Sequence, residues 1–244
     1  MSNEMTTTAR YSQAGDEFLF VELNEEMTLE AFFRSISITQ RLRDMALPGI
    51  VEICPANASY QVRYNPDVIS AGQLQETLES LDREVSTQQV RTLETRVIEV
   101  PVLYNDPWTH ETLMRFRDHH QDPSSTDLEY AARINGYDSV DAFIEAHSST
   151  SWFVSMVGFV AGLPFMYQMV PRERQIQVPK YLRPRTDTPK QTVGIGGCFS
   201  VIYSVRGAGG YQMFGVTPMP IYDPAGDQPH IDDSMIYFRP GDIV

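Results

Sequence analysis

The 244-residue chain carries 19 basic and 32 acidic side chains, a formal net charge of −13, with 42% hydrophobic residues. That balance disfavours attraction to phosphate, so neither nucleic acid nor an anionic membrane is an expected partner. No stretch approaches the roughly 18 apolar residues that span a bilayer, and Met1 to Arg10 lacks the basic and apolar parts of a secretory signal, so a cytoplasmic location is expected.

Gly15 to Leu23 reads as a first strand after about ten polar residues. Leu29 to Met45 follows with mostly helical spacing of its apolar residues. Gly49 to Pro55 and Tyr60 to Pro66 are two short strands, the second alternating Tyr60, Val62 and Tyr64 on one side. Ser70 opens another helix, with Gln73 placed for a capping box and Leu74, Leu78 and Leu81 on one stripe. These pieces predict a small α+β domain over residues 1–88, with a linker from Asp82 to Glu94.

The second domain, residues 89–244, begins with a strand from Arg96 to Tyr104. Thr109 to Thr126 reads as a surface insertion that includes a short helix, and Asp127 to Asn135 and Ser139 to His147 as two helices. From Trp152 onward short strands alternate with Gly and Pro turns, the pattern of an all-β sandwich or barrel.

Cys54 and Cys198 lie far apart without a metal-ligand spacing and are expected to be buried small hydrophobes. Gly194, Gly196 and Gly197, with Gly207, Gly209 and Gly210, have two readings. They are backbone N–H donors to an oxyanion or ureido carbonyl, or barrel corners where a Cβ would clash. Neither cluster is a nucleotide fingerprint, and there is no Gly-Lys-Ser/Thr, so no nucleotide site is expected on this chain. Adjacent His119 and His120 point in different directions on a strand or helix, so one metal site does not use both, and no metal is expected. Arg183 and Arg185 flank Pro184 on a stiff segment suited to clamping a carboxylate, carbamate or carboxybiotin oxygen, or to surface ion pairing. His147 at a helix end is a proton donor or acceptor, or a histidine favoured by the helix macrodipole. No nucleophile elbow or paired-carboxylate motif is present, so a hydrolase acting alone is not expected.

An ordered series of motifs carries a resemblance. It includes Gly15-Asp16, Pro48 to Glu52, Tyr64-Asn65-Pro66, Val100 to Tyr104, Ile144 to Ser149, Gly158-Phe159 with Gly162, Pro184-Arg185-Thr186, Gly209-Gly210-Tyr211 and Pro240-Gly241-Asp242. The chain resembles the allophanate hydrolase subunit 1 family, whose members are also described as KipI-like or as similar to the B subunit of 5-oxoprolinase. The resemblance implies an α+β N-terminal domain followed by a mainly β, cyclophilin-like barrel. It also implies a subunit 2-type partner, together forming a biotin-dependent carboxyltransferase or part of an ATP-dependent 5-oxoprolinase. Other members inhibit a histidine kinase.

On this basis the chain binds no cofactor alone. The resemblance implies either carboxybiotin presented by a biotin carboxylase or biotin carrier, for carboxyl transfer, or a LamB/YcsF-type partner, for a 5-oxoprolinase, with ATP on another subunit. His147 and Arg185, the latter on the family's Pro-Arg-Thr element, are the expected catalytic residues. Phe159, Gly162, Phe165, Gly196, Gly197, Gly209, Gly210 and Tyr211 are expected to bind substrate, which is urea-like, guanidine-like or a lactam amide. Ala161, Met166 and Tyr211 depart from the family pattern, and the family's closing strand would continue past Val244.

Overall fold

The computed structural model describes residues 8–87, 93 and 95–244. The chain divides into two compact units, Met1–Leu93 and Glu94–Val244.

In the first unit β1 (Arg10–Gln13), β2 (Phe18–Glu22), α1 (Leu29–Asp44), β3 (Ile50–Pro55), β4 (Ser59–Tyr64) and α2 (Ala71–Ser86) follow in order. The strands form an antiparallel sheet, β1-β2-β4-β3. Tyr60, Val62 and Tyr64 share the buried face of β4 and pack with Leu19 and Val21 under Ile38, Leu42, Leu74 and Leu78 from the helices. Thr28 caps α1 by accepting from the Ala31 N–H, and Ser70 with Gln73 completes a capping box at α2. Arg34 on α1 makes a two-pronged ion pair with Asp82 on α2, both bonds at 2.6 Å. β1 falls where only a polar lead-in was expected, because it is an edge strand whose mostly exposed residues carry no apolar alternation. The linker expected from Asp82 starts later, since α2 runs to Ser86. The rest of that expected linker falls partly on residues 88–92 and 94, outside the described residues. Cys54 is exposed rather than buried, lying on the edge strand β3.

The second unit contains β5 (Leu103–Tyr104), α3 (Pro107–Arg115), α4 (Asp127–Ile134), α5 (Val140–Ser148), β6 (Trp152–Val157) and β7 (Pro164–Gln168). It continues with β8 (Arg185–Thr188), β9 (Thr192–Gly196), β10 (Phe199–Ile202), β11 (Gly207–Gly209) and β12 (Gln212–Val216). Six strands form one antiparallel sheet in the order β5-β12-β9-β10-β7-β6, and β11 pairs with β8 as a separate ribbon. One face of the sheet packs Val154, Met166, Val193, Ile195, Ile202 and Phe214 against Leu128, Ala131, Ala132 and Phe143 from α4 and α5. The other face carries a smaller cluster of Leu163, Val201 and Tyr203.

The strand expected from Arg96 to Tyr104 is split. Pro101 lacks the N–H that a continuous ladder needs, and only Leu103–Tyr104 pair as a strand, with β12. The other end bonds the C-terminal segment, Ile98 N–H to the Ile243 carbonyl at 2.8 Å and Ile243 N–H to the Arg96 carbonyl at 2.9 Å. Trp152 and Val244 exchange two backbone bonds of 2.8 Å. Residues 96–104 therefore pair with β12 at one edge of the sheet and reach β6 at the other only through the C-terminal segment, and no ladder joins β5 to β6 among the described residues. The Pro240-Gly241-Asp242 motif anchors this arrangement, because buried Asp242 takes both prongs of Arg96 and the Arg239 N–H. Among the described residues no helix is long and apolar enough to cross a membrane.

Candidate functional site

The alternation of side chains along β10 sets the geometry of the site. Ser200 and Ile202 face a polar cavity of about 510 Å³, whereas Val201 and Tyr203, at the end of the strand, face an aromatic cavity of about 410 Å³. β7 alternates in the same way, sending Met166 to the polar cavity and Phe165 to the aromatic one. The sheet thus separates two sites.

Ser139 caps α5 by accepting from the Ala142 N–H, and the helix carries His147 on its last turn into the polar cavity. The imidazole is 5% exposed and lies among Phe143, Trp152, Phe214 and Tyr104. The Trp152 indole N–H donates to the His147 carbonyl at 2.9 Å, satisfying a helix-terminal acceptor. Burial pushes the His147 pKa down to about 4. Desolvation therefore outweighs the helix macrodipole, which alone would favour the cation.

Tyr104 lies 2.7 Å from His147 Nδ1, and Ser200 Oγ lies 3.4 Å from Nε2. Burial raises the Tyr104 pKa to about 12, so the phenol keeps its proton. A phenol is the stronger donor and an imidazole nitrogen the stronger acceptor, so we assign the bond as Tyr104 Oη–H to Nδ1. The ring proton then sits on Nε2, facing Ser200 and the cavity. The long Nε2 to Ser200 contact leaves that donor available to a better acceptor. Neither Tyr104 nor Ser200 carries a signal of this role in the sequence. Tyr104 belongs to an apolar stretch and Ser200 to a polar gap in a strand, and only the fold joins them to His147.

Arg185 is on the opposite side. It is 0% exposed, its Nε donates to Thr188 Oγ1 at 3.2 Å, and its guanidinium stacks on Tyr181 at 4.3 Å from the ring centre. Its Nη1 and Nη2 atoms have no partner of full hydrogen-bond geometry among the described residues. His147 and Arg185 consequently line no common cavity. Arg183, by contrast, is an exposed ion-pair partner of Asp118 at 2.6 Å.

The other expected substrate-binding residues divide. Phe159, Phe165, Gly209, Gly210 and Tyr211 line the aromatic cavity with Lys180, Tyr181 and Tyr203. Phe159 is 70% exposed and holds a φ of +68°. Gly196 lines neither cavity, and a Cβ there would lie closer than 3.0 Å to the Tyr211 ring. Gly197 uses its N–H and carbonyl in paired bonds with Val178 at 2.7 and 2.9 Å. Gly162 is buried in the β6–β7 loop against Tyr222, Ile221 and Ile236. Gly196 and Gly197 thus occupy close backbone or ring approaches, one of the two readings given for them, and Gly162, expected to bind substrate, lies in a packed loop.

The expected surface insertion is a packed element. Asp106 caps α3 through the N–H groups of Trp108 and Thr109, both at 2.9 Å, and the helix lies against β12 and β8. His120 is 0% exposed rather than solvated, with Nε2 3.2 Å from Asp127 Oδ1. His119 turns instead to the Pro184 carbonyl at 3.1 Å. Asp127 also accepts from the Tyr181 hydroxyl at 2.6 Å and the Met213 N–H at 2.5 Å. Burial alone would lower the His120 pKa, but the bond and charge of Asp127 raise it.

A family model described as "Carboxyltransferase domain, subdomain C and D" matches residues 9–231. The chain belongs to this family. It is 30% identical to the B subunit of a 5-oxoprolinase of Escherichia coli O157:H7, over 97% of this chain and 94% of that protein. It is 27% identical to the corresponding 5-oxoprolinase B subunit of Bacillus subtilis (strain 168), over 98% and 92% of the two chains. The crystal structure of the K. lactis urea amidolyase superposes with a TM-score of 0.83 at 25% identity, covering 99% of this chain and 15% of that one. This chain therefore corresponds to one part of that larger protein. The mixed α and β architecture with several sheets agrees with that likeness.

Proposed function

We propose that this chain is the smaller subunit of a carboxyltransferase-type complex acting on an amide, and that the polar cavity receives the amide carbonyl. The observation that carries this reading is the neutral Tyr104–His147–Ser200 relay at the cavity wall. An imidazole whose pKa is about 4 is uncharged at pH 7, so His147 offers Nε2–H as a hydrogen-bond donor and does not act as a cationic acid. A neutral donor fixed by Tyr104 polarises a carbonyl without having to give up a proton. The cavity presents further neutral polar groups from Ser148, Ser149 and Thr150. These suit a neutral urea-like, guanidine-like or lactam amide.

Carboxybiotin fits this cavity poorly. Among the described residues no lysine or arginine lines it, and Glu99 contributes an acidic group, so a partner chain is the better holder of its carboxylate. Relatives that are named as the B subunit of a 5-oxoprolinase support partner subunits, and we take these to be a subunit 2-type chain and a further subunit that carries ATP. The six-stranded sheet, whose two edges are linked through residues 96–104 and the C-terminal segment, supports a cyclophilin-like barrel as the architecture, with the smaller α+β domain ending near residue 88. A histidine-kinase inhibitor would call for an aromatic patch without a convergent polar cavity. The enzyme would call for one pocket holding both His147 and Arg185, and the two lie apart, so the support for the enzyme is the set of polar groups gathered around His147.

The test is co-expression with a subunit 2-type chain and assay against 5-oxoproline and urea. The isolated chain is expected to be inactive and the complex active, with His147→Gln lowering kcat. Full turnover by the isolated chain would refute the shared-site reading.

A further inference from the structure

The aromatic cavity is walled by Phe159, Leu163, Phe165 and Val201 and floored by Tyr181, Tyr203 and Gly209. Arg185 lies immediately behind that floor. Its guanidinium stacks on Tyr181, its Cα is the register partner of Gly209, and its charge opposes the burial that raises the Tyr203 pKa. A Cβ on Gly209 would collide with the Tyr203 hydroxyl and Thr188 Oγ1, so the glycine allows both hydroxyls to crowd around this cation. Two of the three guanidinium nitrogens are buried without a partner of full hydrogen-bond geometry among the described residues, the Tyr181 and Tyr203 hydroxyls being close enough to interact with the guanidinium.

Nearby cations are neutralised in a way that Arg185 is not. Arg115 and Arg206 both pair with Asp187, and Arg183 pairs with Asp118. Among the described residues Arg185 has no ion pair, nor does Lys180, whose ammonium lies at the cavity wall 5.2 Å from the Tyr211 ring centre. A buried, unpaired cation costs stability unless something compensates its charge, and in a medium of low dielectric its field acts on whatever occupies the cavity. An apolar chamber lined by the Lys180 ammonium, with the Arg185 guanidinium stacked on its Tyr181 floor and neither in an ion pair among the described residues, matches a ligand with an apolar body and one negative end.

We propose that the aromatic cavity binds a small carboxylate bearing an apolar ring or chain. The carboxylate lies between Lys180 and the Tyr181–Tyr203 floor in front of Arg185, and the apolar body lies against Phe159, Leu163 and Phe165. The site is on the opposite face of β10 from the amide pocket, so its failure would leave that reading untouched.

The test uses the full chain with benzoate, benzamide and acetate, followed by calorimetry and by NMR of the cavity tyrosines. Benzamide has the same body without the charge, and acetate has the charge without the body. Benzoate is expected to bind at least tenfold more tightly than either, and to weaken as salt is raised. Lys180→Met and Arg185→Met are each expected to weaken benzoate about tenfold and to leave benzamide unchanged. Equal affinity for benzoate and benzamide would overturn the proposal, as would benzoate binding within twofold of wild type in Lys180→Met. Lys180 is exposed, so that variant reads the charge without altering the interior.

Discussion

Replacing His147 by glutamine should remove a defined pH dependence from the stability of the second unit. The ordinary histidine pKa is 6.5 and burial takes the folded value to about 4. Between those values the unfolded chain binds a proton that the folded chain refuses, so stability falls as pH drops from 6.5 to 4 and is untouched above 6.5. A gap of roughly 2.5 units at about 1.4 kcal/mol each amounts to about 3 kcal/mol across that window. The assay is urea unfolding of wild type and His147→Gln at steps from pH 7 to pH 4, read by fluorescence. The chain's 2 tryptophans, Trp108 and Trp152, both belong to the second unit. Carboxylates common to both proteins cancel in the difference. The variant should lose stability at pH 7 through its disturbed packing, yet close the gap on wild type by about 3 kcal/mol at pH 4. A gap that stays constant with pH would show that His147 titrates normally and that the neutral relay is wrong.

Two further outcomes test the groups around the two buried histidines. In an NMR titration His120 should hold its proton to above the ordinary histidine pKa, because Asp127 more than offsets burial, while His147 stays neutral to well below it. The His120 contribution to stability is present in acid and fades as pH rises through the raised value, opposite in sign to that of His147. Coincident titration of the two would contradict the Asp127 pairing. Tyr104→Phe should cost about 1 kcal/mol of stability and lower kcat of the assembled complex about tenfold with little change in KM. It should also shift the His147 ring-nitrogen signals as the tautomer loses its anchor, and an unchanged spectrum would remove Tyr104 from the relay.

Much of the architecture is legible in the sequence because burial leaves a periodic trace. Tyr60, Val62 and Tyr64 alternate in a half-buried strand, and Ser70 with Gln73 announces a helix start through local chemistry alone. β1 leaves no such trace, being a polar edge strand recognised only by its partner β2. The glycines are ambiguous for a different reason. A Cβ is excluded equally by a ligand and by a crossing chain, and only the pairing of β9 with β12 reveals that the Gln212 backbone occupies the space beside Gly194. His120 reads as solvated in the sequence because its partner Asp127 opens the next helix, a proximity created by the intervening turn and by no periodic pattern.

The separation of His147 from Arg185 by the sheet has an energetic consequence that a shared site would not have. Arg185 has two nitrogens in the interior without a partner of full hydrogen-bond geometry, so Arg185→Met should raise stability by relieving a buried charge. His147→Gln acts on the other face through Tyr104 and Ser200, with which Arg185 shares no hydrogen bond. The double variant should therefore show the sum of the two single effects within about 0.5 kcal/mol, as distant sites without common partners do. Urea unfolding at pH 7 of the four proteins measures this directly. A coupling of about 1 kcal/mol or more would place both residues in one network across β10, and the division into an amide face and an anion face would have to be abandoned.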